Sequence, residues 1–325
     1  MKTKATIFLS LLSLCTIANA QVLENAEVAT KIALAKKPTS KPMSIAYMPI
    51  YDRYYVADGG LAPMGSETEA PISKSEIHVY SADGQYIQSA KPGFDNRSIY
   101  FNTESRQLET VTYNISSNAG FSPNTGIFAL DLDDKGNLKE SSRDISGFNA
   151  AFGDASTIPT YDPETKHYFA KQGRSNLVWV VDLNNTEKLE EIKLDLAAAQ
   201  VQFDDITDYY AAYTGIKGEE LALLDVDHKA VLIFDIKGKF VAKSELPKTL
   251  KLRAQNHIAG VGYTNNQFFV YHEPEGEFGT FYGFKISAPT NKIHVNKKPP
   301  EGGFLLGKFF IYLKELLTKC ASNFA

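Results

Sequence analysis

Four oxygen-bearing residues recur at one place in a periodic sequence. They are Asn96, Asp154, Asp205 and Asn256, in the runs Phe94-Asp95-Asn96, Phe152-Gly153-Asp154, Phe203-Asp204-Asp205 and Gln255-Asn256-His257. Two carboxylates and two amides offer only hard oxygen donors, the ligand type that suits Ca²⁺. Their similar separations predict that all four face one mouth of a channel; no cofactor is the favoured expectation, with Ca²⁺ the alternative that these residues would serve. Asp and Asn are also common in turns, where they bond their own backbone. That turn reading stands beside the calcium reading.

Other chemistry is thinly represented. Asp131-Leu132-Asp133-Asp134-Lys135-Gly136-Asn137 has the sixth-position Gly of an EF-hand loop. However, Lys135 stands at a ligand position and Ser142 where the closing Glu belongs, so a hairpin is expected. No two histidines show metal-ligand spacing. His78 and His167 fall in strand-like runs and read as structural. His257 and His272, near Glu273 and Glu275, are the candidates for a general base. There is no Gly-x-Ser-x-Gly elbow and no phosphate-binding glycine loop. The two cysteines are Cys15 and Cys320, so residues 21–319 hold neither a thiol nucleophile nor a cysteine zinc site. A non-catalytic role is therefore favoured over catalysis.

These residues hang on a repeat of about fifty residues. Five β-branched and aromatic runs share one shape: Ile77-His78-Val79-Tyr80-Ser81, Ile127-Phe128-Ala129-Leu130-Asp131, Val178-Trp179-Val180-Val181-Asp182, Val231-Leu232-Ile233-Phe234-Asp235 and Phe281-Tyr282-Gly283-Phe284-Lys285. Three continue into glycine turns at Asp83-Gly84, Lys135-Gly136 and Lys237-Gly238, where glycine supplies the positive φ of a tight hairpin. Upstream lie two more strand candidates per repeat, such as Ser44–Tyr47 and Tyr54–Ala57, or Ile258–Tyr263 and Gln267–Tyr271. Four antiparallel strands in about fifty residues make one propeller blade. The fold class is therefore all-β, a β-propeller of five four-stranded blades, or six if one is too degenerate to recognise. The fifth repeat lacks its fourth strand, because Ser-Ala-Pro follows Ile286. Val28–Leu34, left over before the first repeat, is expected to close the last blade and hide a sheet edge.

The element order, carried by Tyr54-Tyr55-Val56-Ala57-Asp58-Gly59 and by Glu76-Ile77-His78-Val79-Tyr80-Ser81-Ala82-Asp83-Gly84, resembles the NHL-type and gluconolactonase/regucalcin-type propellers over roughly Met43 to Ile286. The resemblance concerns architecture. In gluconolactonase-type propellers a divalent metal is held by acidic and amide side chains at the channel mouth. The resemblance thus implies an alternative function: a Ca²⁺-dependent propeller hydrolase or lactonase using Asn96, Asp154, Asp205 and Asn256.

Residues 1–20 read as a signal peptide, with Lys2 and Lys4, an apolar run from Ile7 to Ile17, and Ala18-Asn19-Ala20 before Gln21. The expected location is periplasmic or extracellular. Residues 21–288 form the propeller and 289–303 a Pro- and Lys-rich linker. Residues 304–325 form an apolar tail, too short for an ordinary span, that suits weak contact with a membrane surface. With a net charge of -4, nucleic acid is not an expected partner. Two long loops, Asp58–Ser75 and Asn114–Thr125, carry Leu61, Met64 and Phe121 and are candidates for one contact face. The functional expectation is an exported, non-catalytic propeller that binds a protein, peptide or glycan.

Overall fold

A computed structural model describes residues 21–35, 41–59, 75–93, 95–113, 125–154, 156–184, 186–273 and 278–288. The signal-peptide, linker and tail segments, and the central parts of both long loops, lie outside the described residues.

The body is all-β. Among the described residues the helical content is a 3-10 turn at Ala254–His257, and no helix is long and apolar enough to cross a membrane. The chain makes successive antiparallel meanders. The first is β2 (Lys41–Met48), β3 (Arg53–Gly59), β4 (Glu76–Ser81) and β5 (Tyr86–Ala90). The second is β6 (Asp95–Asn102), β7 (Gln107–Tyr113), β8 (Thr125–Leu132) and β9 (Leu138–Asn149). The third is β10 (Thr160–Asp162), β11 (His167–Lys171), β12 (Leu177–Asp182) and β13 (Glu187–Lys193). An eight-stranded sheet holds β14 (Ala212–Tyr213), β15 (Leu221–Asp225), β16 (Ala230–Phe234) and β17 (Phe240–Glu245), then β1 (Val22–Ala33), β20 (Thr280–Ser287), β19 (Gln267–His272) and β18 (Val261–Thr264). All five sequence runs become the third strand of a meander: β4, β8, β12, β16 and β20.

The N-terminal strand takes the place expected for it. β1 runs antiparallel to β20, with Val28 opposite Phe284 and Ala33 opposite Thr280. It also touches β17 in parallel through Asn25 and Glu245, which merges two meanders into one sheet. The cause is the one visible in the sequence: without a fourth strand β20 would leave a row of unpaired backbone groups. Gly84, Gly136 and Gly238 have φ of 86°, 76° and 81°, as the tight hairpins require. Asp133 caps the second of these turns by accepting from the backbone N–H of Lys135 and Asn137, so the EF-like run is a hairpin.

Apolar faces of neighbouring sheets pack on each other. Tyr54, Val56 and Tyr80 of the first meander bury against Ile32, Phe269, Tyr271 and Phe281. Val111 and Ile127 meet Phe152, Tyr168 and Val181. Phe169, Val178 and Ile192 meet Leu221, Leu232 and Phe234. The inner strands touch in the order β18, β2, β6, β10, β14 and back to β18. This circuit of meanders is β-propeller architecture.

Candidate functional site

The circuit of inner strands encloses a cavity of about 440 Å³ at the end where each inner strand turns into its hairpin. Every inner strand brings a tyrosine to the wall: Tyr47 from β2, Tyr100 from β6, Tyr161 from β10, Tyr213 from β14 and Tyr263 from β18. Tyr210, just before β14, adds a sixth. Tyrosine suits this position because its ring packs on a pleated surface while its hydroxyl reaches a polar partner.

The hydroxyls are organised. Tyr47 donates to Asp52 at 2.5 Å, and that hydrogen bond with burial holds its pKa up at about 12. Burial raises Tyr263 to about 12 and pushes Tyr100, Tyr161, Tyr210 and Tyr213 upward as well. All remain neutral phenols in ordinary conditions. Tyr161 lines both the cavity and a neighbouring cleft of about 530 Å³ between the second and third meanders, and Tyr100 of the cavity wall bonds to two residues of that cleft. The Tyr100 hydroxyl donates to Glu109 at 2.6 Å and lies 2.9 Å from that of Tyr168. Asn102 and Ser105 donate to the other Glu109 oxygen. Burial raises the Glu109 pKa against these three donors.

Among the described residues the cavity wall includes Asp162 and Glu164 and no Lys, Arg or His. Aromatic faces with hydroxyl, amide and carboxylate edges can hold a polar ligand that has apolar faces of its own. Among the described wall residues no side chain pairs a nucleophile with a histidine base.

The four sequence-predicted oxygen residues lie where strands approach from the opposite side. Each is tied into its own surroundings. Asn96 accepts from Thr110 and donates to Ser75 and to the Gly93 carbonyl. Asp154 accepts the backbone N–H of Ser156, and Asp205 that of Gln202. Asn256 accepts the N–H of Arg253 and donates to the Tyr271 carbonyl. Asn96 and Asn256 are fully buried. To ligate calcium, the amide oxygens of Asn96 and Asn256 would have to share or release these bonds, whereas each Asp carboxylate has a second oxygen beside the bonded one.

A cation of the protein's own occupies part of this region. The Lys171 ammonium, fully buried at the end of β11, donates to the carbonyls of Gln172, Ser175 and Asp208 at 2.8, 2.6 and 3.0 Å. Burial lowers its pKa to about 8, against the pull of Asp208 and Asp154. Of the candidate bases, His272 accepts the backbone N–H of Lys251 on Nδ1, and His257 pairs with Asp227 at 3.2 Å.

A separate group could hold a metal. Asp58, Glu76 and His78, on β3 and β4, place one ligand atom each within 4.8 Å of one another. Sequence reasoning passed over His78 as a strand residue and over the tyrosines altogether. One tyrosine in each inner-strand run was the available signal for the latter.

No protein-family model matches the chain, and no curated protein matches it. Similar solved structures include a periplasmic gluconolactonase of Pseudomonas aeruginosa, at 13% identity over 79% of each chain with a TM-score of 0.34. A glutaminyl cyclase of Myxococcus xanthus is 8% identical over 83% of this chain and 100% of that one, with a TM-score of 0.48. The β-propeller domain of Cps50 (Swd1) from Myceliophteria thermophila is 10% identical over 75% of this chain and 82% of that one, with a TM-score of 0.37. All three are distant, and none transfers an activity to this chain.

Proposed function

We propose that the protein is an exported, five-bladed propeller that binds a glycan or peptide without transforming it. The tyrosine-lined end of its central channel is the binding site. The observation that carries this reading is the ring of tyrosines, one from each inner strand, in a cavity whose described wall residues include acidic and no basic side chains. The continuous circuit of β18, β2, β6, β10 and β14 supports the count of five. Phenol rings stack on sugar faces or on peptide side chains, and their hydroxyls orient the polar edges. Asp162 and Glu164 favour neutral or cationic ligands over anionic ones. The strand ends from which the long loops leave, Gly59 and Tyr113, stand at the opposite end of the strands from this cavity.

Screening the purified protein against glycan arrays and peptide libraries tests the proposal, with Tyr161→Ala and Tyr263→Ala alongside. Neutral or basic ligands should bind the natural protein and be lost in both variants. Binding that survives both substitutions would place the site elsewhere, and turnover of a bound ligand would show an enzyme. Export is checked by N-terminal sequencing of the extracytoplasmic protein, which should begin at Gln21.

A further inference from the structure

We propose that Asp58, Glu76 and His78 form a binding site for a first-row divalent transition metal, away from the tyrosine cavity. Strand geometry assembles it. Asp58 on β3 lies directly opposite Glu76 on β4, and His78 lies two residues further along the same strand, opposite Val56. Side chains alternate along a strand, so all three project from one face of the sheet. His78 Nε2 lies 3.2 Å from Asp58 Oδ2, and Nδ1 lies 3.9 Å from Glu76 Oε2. With metal–ligand bonds of about 2.1 Å, neighbouring donors in tetrahedral or octahedral sites stand roughly 3–3.5 Å apart. The three ligand atoms lie within 4.8 Å of one another, so the donors, Glu76 above all, would draw in by roughly 1–2 Å to close around an ion at Nε2.

The donor set selects the ion class. One imidazole with two carboxylates suits Zn²⁺ or Mn²⁺; Ca²⁺ prefers six to eight oxygens. Asp58 and His78 are both fully buried, whereas Glu76 keeps 12% of its side chain exposed. The imidazole is also held from behind. Ser89 on β5 is the cross-strand neighbour of His78, and its Oγ lies 2.7 Å from Nδ1. Tyr86 in turn lies 3.0 Å from that Oγ. A hydroxyl at Nδ1 accepts the ring N–H when Nε2 turns to a metal, the outer support that metal-binding histidines usually have. Metal entry replaces the contact between His78 and Asp58 and releases any proton held there, so affinity falls as pH falls.

Chelator-stripped full-length protein is titrated calorimetrically with ZnCl₂ and MnCl₂, and separately loaded with Co²⁺ for visible spectroscopy. One ion per chain should bind. The affinity should drop at least tenfold in His78→Gln and in Glu76→Gln, with loss of the Co²⁺ d–d bands. His257→Gln, a histidine outside the group, should behave as the natural protein. Glu76 is the most exposed of the three, so Glu76→Gln keeps the test decisive if His78→Gln does not fold. Failure of stripped protein to take up either metal, or unchanged stoichiometry and affinity in Glu76→Gln, overturns the proposal. In that outcome the group is a buried hydrogen-bond chain that only ties β3, β4 and β5 together.

Discussion

Ile32 on the N-terminal strand lies opposite Phe281 on the last described strand, and neither side chain reaches solvent. The two ends of the body thus share one sheet and one core. Closure of this kind converts two sheet edges into paired backbone. It also makes the stability of the whole circuit depend on a strand that is otherwise mostly exposed.

Ile32→Ala should therefore cost about 2–5 kcal/mol, the range for truncating a well-packed aliphatic side chain. Val28→Ala, on the same strand but 52% exposed, should change stability little. Urea unfolding of the two variants checks the contrast. Equal effects would mean that the strand is not anchored at Ile32.

Gly59 follows Asp58 at the end of β3. A β-carbon there would lie 1.8 Å from the Asn96 carbonyl oxygen. Backbone cannot give way as a flexible side chain can, so Gly59→Ala should destabilise by about 3 kcal/mol. Thermal denaturation reads this directly, and a neutral result would show that the first two meanders are further apart than described.

Glu109 titrates in the direction that favours mild acid. Burial raises its pKa in the folded state above the unfolded value. The folded protein then binds more protons in the window just above the unfolded pKa. Its stabilising contribution is present below that value and is lost as pH rises through the folded pKa. Glu109→Gln should therefore be at least as stable as the natural protein near neutral pH, and should lack its gain in stability on mild acidification. Melting temperatures across that range measure the difference.

Lys171 has the opposite consequence. Its folded pKa of about 8 lies below the ordinary 10.5. Between those values the unfolded chain holds the extra proton, so this group makes stability rise with pH from about 8 toward 10.5. Tyrosines with raised pKa values oppose it above about 10, which leaves pH 8 to 9.5 as the useful window. Lys171→Met should abolish the rise. It should also cost several kcal/mol at neutral pH, because three carbonyls lose their donor. A natural protein whose stability is flat over that window would contradict the assignment.

The architecture was legible in the chain because it is written in local terms. A β-branched run followed by a glycine hairpin specifies a strand and its turn without reference to distant residues. The missing fourth strand after Ile286 and the spare run before Met43 then implied their own pairing, since an open edge is costly. Val178–Asp182 and Phe281–Lys285 carry no glycine turn, yet their composition alone identified them.

The candidate sites were not legible in this way, because they depend on register and on contacts between sheets. Asp58 and Glu76 are separated by a long loop, and only the β3–β4 pairing makes them direct neighbours of each other and of His78. The tyrosines become a ring only when the inner strands touch in a circuit. Asn96, Asp154, Asp205 and Asn256 share a place in the repeat, which suggested convergence, and the folded chain gives each of the four residues a hydrogen-bond donor of its own. Repetition in sequence determines which residues occupy equivalent positions. Which partners those side chains find is decided by tertiary packing: Asp154 and Asp205 accept backbone N–H groups within their own turns, whereas Asn96 accepts from Thr110 on the neighbouring strand.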